Sequence, residues 1–341
     1  MRILITGHTG FKGSWMTALL HELGHSISGL SLTVDPNSLY EKAKLRNFLK
    51  EDVRVDLRSF EQTFDFISKN EFDLIFHFAA QSLVLESYEN PRNTFETNIM
   101  GTLNLLDSLR KSGSKAPCVV ATTDKVYKEK SDSLEAFNES SELGGRDPYS
   151  ASKSAADILC QSWSLSFGDF PISIVRGGNV VGGGDWSANR LVPDLVRSYQ
   201  NKNQTAIRSP ESIRPWQHVL DCLWGYWLCA EYMIKNSKSE LWNFGSNKSQ
   251  FKSVLEVANK ISNLLNIENL WYLDQEEFKY ESKILLIEAE KARNLLGWSN
   301  ELDFDETMKW TIDFYLTQIN NNETLDKLVV QVHKYLERVQ K

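Results

Sequence analysis

Residues 1–15 read MRILITGHTGFKGSW, and their reading decides the fold. RILIT, residues 2–6, is an apolar run of strand length, and GSWMTALLHELG, residues 13–24, spaces its apolar side chains for a helix. Between them Gly7, Gly10 and Gly13 form G-x-x-G-x-x-G at the strand-to-helix turn. Glycines there let the backbone approach a pyrophosphate, while the helix N-terminus offers unpaired N–H groups and the positive end of its dipole. The stretch predicts a dinucleotide cradle, with Phe11 and Lys12 on the same loop.

The alternation repeats downstream. SISGLSL, VRVDL, DLIFHFAA, PCVVATT and PISIVRG read as strands, with helical runs between them, notably residues 90–113 and 147–167. Strands alternating with helices imply β-α-β units and a doubly wound parallel sheet, the Rossmann-type α/β class. Beyond about residue 185 the pattern loosens into further helices and short strand-like pieces such as TAIRS, LWNFGS and NLWYL. The expectation is a dinucleotide-binding part over 1–185 and a smaller mixed α/β substrate-binding part over 186–341, with some elements exchanged between them. In the last segment Leu325, Leu328, Val332, Tyr335, Leu336 and Val339 share one helical face, which predicts a terminal helix docked on the body.

Residues 21–25, HELGH, match the zinc-protease pattern H-E-x-x-H. Gly24, however, stands where the first helix should end, so His21 and His25 are expected on opposite sides of a chain reversal and no metal site is read here. Cys118, Cys160, Cys222 and Cys229 include no C-x-x-C pair, which argues against a cysteine zinc site or a disulfide framework. The chain of 341 residues carries a formal net charge of −7, a balance that disfavours nucleic acid as a partner. No run is long and apolar enough for a membrane span or laid out as a signal peptide. A soluble, cytoplasmic protein is expected.

YSASK places Tyr149 and Lys153 four residues apart on a predicted helix, hence on one face. A tyrosine titrates near pH 10, and a neighbouring ammonium favours its anion, which can then take a hydroxyl proton. This pair, with the glycine loop upstream, resembles the extended short-chain dehydrogenase/reductase family over roughly residues 1–315. The resemblance implies NAD as cofactor, held by the glycine loop, by Asp56 and Leu57 in VDL, and by HFAA at His77–Ala80, with Phe78, Ala79 and Ala80 among the contacts. The second strand ends at Ser31 without the acidic residue that often holds the adenine ribose. No basic residue follows directly to receive a 2′-phosphate, so NAD is expected over NADP.

TTDKVY then narrows the resemblance. Thr123, Asp124 and Lys125 fall at the carboxyl edge of a predicted strand, where doubly wound sheets bind ligands. Sugar-nucleotide 4,6-dehydratases carry a Thr-Asp-acid triplet here, and lysine in the third place is similar to the branch acting on CDP-glucose. GHTGFKGSW, FETNIMGT, GGRDPYSASK, RGGNVVGGGDW, NRLVPD and RPWQHV carry the same resemblance. It implies internal-redox loss of water from CDP-glucose or another nucleotide sugar, in deoxysugar synthesis for surface polysaccharides. Tyr149 would serve C4 oxidation and Asp124 would be the acid at C6. Lys125 would be either the base at C5 or a cation stabilising the enolate. Asn98, Asn179, Arg190, Leu191, Arg208 and Arg214 would line the substrate, and a homodimer would pair the helices at about 92–112 and 148–167. His218 reads as structural; Trp186 and Trp216 are open between core and base stacking. The rival readings are action on another nucleotide sugar, by dehydration or epimerisation, and a non-catalytic dinucleotide-binding regulator.

Overall fold

The computed structural model describes residues 1–129, 135–274, 284–320 and 323–340. Seven strands form one parallel sheet: β1 (Arg2–Thr6), β2 (Ser26–Ser31), β3 (Leu49–Arg54), β4 (Leu74–His77), β5 (Cys118–Ala121), β6 (Ile172–Gly177) and β7 (Glu240–Phe244). Their spatial order is β7-β6-β5-β4-β1-β2-β3. The chain order reverses between β1 and β4, and a crevice opens there at the carboxyl ends of the strands.

Successive side chains on a strand face opposite sides. Ile3 and Ile5 therefore join Trp15, Met16 and Leu19 of helix α1 (Phe11–Glu22) in one core, whereas Leu4 joins Ile75 and Val120 in the other. On that second face lie α2 (Phe60–Ser68), α3 (Gly101–Lys111) and α4 (Pro148–Ser166). Both faces are covered, as a parallel sheet requires.

The third strand lies four residues before the place read from VRVDL. Leu49–Arg54 pair with β2 and Val55–Leu57 run on past the sheet. This strand is an edge, so it tolerates Lys50, Glu51 and Asp52, and its charge hid it from an apolar-run reading. The helix expected over residues 90–113 runs from Pro91 to Lys111 and contains one wide, π-type turn at Glu96–Met100.

The later half of the chain contributes to both regions. Helix α6 (Val219–Asn236) packs in the first core and β7 completes the sheet. A separate core joins α5 (Leu191–Asn201), α7 (Val254–Leu265) and α8 (Phe304–Asn320). The last helix, α9 (Thr324–Val339), docks as its apolar stripe predicts. Leu328, Val332, Tyr335 and Leu336 are buried, and the Tyr335 hydroxyl donates to Asp221 at 2.8 Å. Each such aliphatic side chain contributes about 1.5–3 kcal/mol when fully buried.

Helix α1 ends at Glu22, and Gly24 adopts a left-handed backbone with φ of 78°. The His21 ring stacks on Phe48, while His25 follows the reversal and meets the Trp227 ring. The HELGH spacing is thus a helix stop. No described helix is long and apolar enough to cross a membrane.

Candidate active site

One cleft of about 990 Å³ runs along the carboxyl ends of β1 to β6. Its floor at one end is the glycine loop. Gly7 has φ of 73°, and a Cβ there would meet the Ala79 amide nitrogen at 2.6 Å; a Cβ on Gly13 would meet the Gly7 carbonyl at 2.2 Å. Glycine alone brings this turn and the start of α1 so close together. Phe11 and Lys12 line the cleft on that first helical turn, and the Lys12 ammonium donates to the Tyr226 hydroxyl at 3.2 Å.

Ser31, Asp56, Leu57, Phe78, Ala79 and Ala80 line the same end. His77 does not. Its ring lies inside the sheet, bonded to the Thr6 hydroxyl at 2.7 Å and the Thr102 hydroxyl at 3.0 Å, and burial pushes its pKa down to about 3. The structure adds a neighbour at Ser31 that the sequence order does not show. No basic residue follows it in sequence, but β3 brings Arg54 beside it, with the guanidinium donating to the Ser31 hydroxyl at 3.2 Å. Asp52 holds the same guanidinium in an ion pair.

The other end of the floor carries the reactive groups. Helix α4 starts at Pro148, and the Asp147 carboxylate accepts from the Ser150 amide at 2.9 Å to cap it. This start fixes Tyr149 and Lys153 on one face. The Lys153 ammonium donates to the Ala121 carbonyl at 2.8 Å, and burial lowers its pKa to about 8. Burial raises the Tyr149 phenol to about 12, opposed by the Thr123 hydroxyl. Both side chains face the cleft.

Thr123, Asp124 and Lys125 follow β5 and enter a single 3-10 turn. The Thr123 hydroxyl donates to one Asp124 oxygen at 3.0 Å; the other carboxyl oxygen is buried and without a hydrogen-bond partner among the described residues. Burial raises the Asp124 pKa, with Lys125, Thr123, Arg214 and Lys12 opposing the shift. A buried carboxyl raised in this way favours its protonated form. Lys125 lines the cleft beside it.

Above the floor, Asn179, Arg190, Leu191, Arg208 and Arg214 line the wall. Arg190 pairs with Asp185, five residues before it on the same loop, at 2.7 Å, and donates at 3.2 Å to Ser82, a remote partner on the loop after β4. Asn98 is the exception among the expected substrate contacts. It is buried behind the wall, where its amide donates to the Gln81 carbonyl at 3.0 Å and the Ser152 hydroxyl at 2.8 Å, while its oxygen accepts from the Gln81 amide. With those groups engaged inside the protein, it braces the loop after β4.

Trp216 lines the cleft while its indole N–H donates to the Lys252 carbonyl at 2.9 Å. Trp186 packs edge-on against Tyr315 and donates to Gln318. His218 is fully buried between Trp15 and Trp310, with its pKa pushed to about 3 by burial, and accepts from the Leu220 amide. It is structural.

A seven-stranded parallel sheet with small C-terminal sheets is the architecture of the short-chain dehydrogenase-type epimerases and dehydratases. A solved UDP-glucose-4-epimerase of Stenotrophomonas maltophila, with bound NAD and formylated UDP-arabinopyranose, superposes with a TM-score of 0.83 at 20% identity, covering 94% of this chain and 99% of that one. A dTDP-glucose 4,6-dehydratase of Bacillus anthracis in complex with NAD gives 0.80 at 23%, covering 96% and 99%. The family model described as GDP-mannose 4,6 dehydratase matches residues 4–311, and the chain belongs to this family of NAD-dependent sugar-nucleotide dehydratases. Among curated relatives, the CDP-glucose 4,6-dehydratase of Salmonella typhimurium is 36% identical over 335 residues, 95% of this chain and 93% of its own.

Proposed function

We propose that the protein is a CDP-glucose 4,6-dehydratase, converting CDP-glucose to its 4-keto-6-deoxy sugar with release of water. The observation that carries the dehydration is the Asp124 carboxyl, buried with one unpartnered oxygen beside the Tyr149–Lys153 pair. Loss of the C6 hydroxyl needs a proton donor, and burial shifts this carboxyl towards the protonated form that can serve as one. The similarity to the Salmonella enzyme supports cytidine diphosphate as the carrier.

The glycine loop, the N–H groups opening α1 and the cleft-facing Tyr149 and Lys153 fit a dinucleotide. NAD there would supply the acceptor that takes hydride from sugar C4 and returns it to C6, so the reaction is redox-neutral. The chain's own groups do the rest. Tyr149 would take the C4 hydroxyl proton as its phenolate, a form that the Thr123 hydroxyl and the Arg190 charge favour against burial. The resulting ketone acidifies C5–H; Lys125 takes this proton and returns it to C5 once the C6 hydroxyl has left and C6 is reduced. Asp124 then protonates the departing C6 oxygen. As an ammonium, Lys125 would instead stabilise the enolate oxygen. Arg190, Arg208 and Arg214 supply cations for the diphosphate, with paired donors suited to its oxygens.

Phe95, Met100, Ile158 and Leu165 are apolar side chains exposed on the helices of residues 91–111 and 148–166. This supports a homodimer through those helices.

Mass spectrometry of CDP-glucose incubated with the protein and substoichiometric NAD tests the reading. The expected result is loss of one water from CDP-glucose without stoichiometric NADH. Water loss only from another nucleotide-glucose would overturn the choice of base. Bound NAD with no turnover of any sugar nucleotide would favour the regulator.

A further inference from the structure

A buried charge lies directly behind the reactive floor. Arg176 of β6 and Asp157 of α4 are 1% and 0% exposed in their side chains and form a two-pronged ion pair at 2.8 Å. Neither residue lines the cleft or enters the chemistry above, yet a buried ion pair carries a desolvation cost that packing alone does not require. Its position relative to the Thr123–Asp124–Lys125 turn supplies a reason for it.

The same Asp157 oxygen that meets Arg176 Nε accepts from the Thr122 hydroxyl at 3.2 Å, immediately before the turn. Arg176 Nη1 donates to the Tyr127 hydroxyl at 2.9 Å, on its far side. The ion pair therefore reaches both flanks of the four-residue segment 123–126, through Asp157 on one side and Arg176 on the other. The Tyr127 hydroxyl passes its own proton to the Asn243 oxygen on β7 at 2.6 Å, and the Asn243 amide donates to the Phe137 carbonyl. Helix α4 adds a direct tie, from the Ser154 hydroxyl to the Val126 carbonyl at 2.6 Å. Three sheet strands and the helix carrying Tyr149 and Lys153 are thus joined to one short turn.

We infer that Arg176, Asp157 and Tyr127 form a clamp that positions Asp124 and Lys125 against the substrate, and that it is a determinant of turnover and not of binding. The inference rests on the dehydratase reading. Chain segments after a strand are ordinarily the mobile parts of a fold. Here the turn bearing the acid is tied at each flank to groups that cannot exchange with water. Charge-assisted bonds in a dry interior hold geometry better than neutral, solvated ones. Asp124 spends only one bond within the turn, to Thr123, so its orientation depends on where the turn is held.

Tyr127→Phe isolates the clamp from the fold. The ring's stacking on Phe137, at 5.0 Å and 9°, and its contact with the Arg176 face at 5.0 Å survive the change. Only the hydroxyl between Arg176 and Asn243 is lost. Removal of Arg176 itself would strand Asp157 in the core and report on folding, so the tyrosine is the informative position.

The full-length variant is compared with wild type by hydrogen–deuterium exchange of peptides over 121–128 and by CDP-glucose dehydration kinetics. Exchange over that segment is expected to rise several-fold, with other sheet peptides unchanged. A misplacement of reacting groups of about 1 Å costs on the order of 10²-fold, so kcat is expected to fall about ten- to hundredfold while KM moves less than about threefold. Wild-type kcat in the variant, with or without faster exchange, overturns the clamp and leaves the dehydratase reading standing. A fall matched by a general rise in exchange across the sheet also overturns it, assigning Tyr127 to stability. Wild type that releases water from no nucleotide sugar overturns both.

Discussion

The floor of the cleft and its arginine wall are built on opposite plans. Residues 121–127 are contiguous and tied down on every side, through Lys153 to Ala121, Asp157 to Thr122, Ser154 to Val126 and Arg176 to Tyr127. The wall is assembled from separate segments, near 185–191, 208 and 214. Arg208 is exposed, with a long 3.4 Å bond to Asn189, while Arg214 is buried and donates to its neighbour's carbonyl. Groups that move protons need fixed geometry, because proton transfer requires contact at hydrogen-bond distance. Groups that neutralise a diphosphate act through charge and tolerate adjustment. The difference predicts that floor substitutions change turnover and wall substitutions change affinity.

The largest effect should come from the acid. Asp124→Asn keeps the acceptor for Thr123 and removes the proton, so dehydration is expected to fall by about 10²–10⁴-fold, as for loss of a general acid. KM should hold, which steady-state kinetics checks; a pure KM effect would break the contrast between floor and wall. Lys125→Met separates the two roles of its neighbour. Loss of C5 proton exchange with solvent, followed by mass spectrometry, assigns the base role, whereas exchange at the normal rate removes it.

A smaller effect is expected at the wall. Hydrogen bonds to charged groups contribute about 1.5–3 kcal/mol, and the exposure of Arg208 places it at the low end. Arg208→Ala should raise KM by about tenfold with kcat nearly unchanged. A comparable loss in kcat would mean that the wall, too, orients the reacting sugar.

The smallest effect sharpens the comparison by using a buried carboxyl outside the cleft. Asp221 on α6 accepts from Tyr335 and from the Glu301 amide, and burial raises its pKa to about 7. The unfolded carboxyl titrates near 3.8, so the folded state holds the extra proton between those values. Stability from this group is complete below about pH 4 and is lost as pH rises through about 7. Asp221→Asn should flatten that part of the Tm–pH profile without altering kcat at neutral pH. An unchanged profile would show that burial alone does not shift such a carboxyl here, and would weaken the same argument for Asp124.

Local pattern made much of this legible. The glycine spacing, the Tyr149–Lys153 interval and the TTDK turn each involve residues within a few positions of one another, so backbone geometry fixes their relation directly. The terminal helix was equally readable because Leu328, Val332, Tyr335 and Leu336 recur at helical spacing. Readings failed where a residue's partner is remote. His77 and Asn98 sit in the right motifs, but Thr6, Thr102, Gln81 and Ser152 draw their polar groups inward. Arg54 reaches Ser31 only because β3 lies beside β2. Arg176 left one trace, a lone cation inside the apolar run PISIVRG, which buried-charge costs could have flagged.

The sequence alone thus determined a parallel α/β sheet, a glycine loop opening its first helix and the residue types able to exchange protons. Those follow from side-chain period and from chemistry carried within one turn or strand. The tertiary structure decided which oxygen of Asp124 stays unpartnered among the described residues, which cation stands beside Ser31 and how the Arg176–Asp157 pair grips both flanks of the reactive turn. These depend on desolvation and on contacts between residues as far apart as Tyr127 and Asn243, which no local spacing encodes.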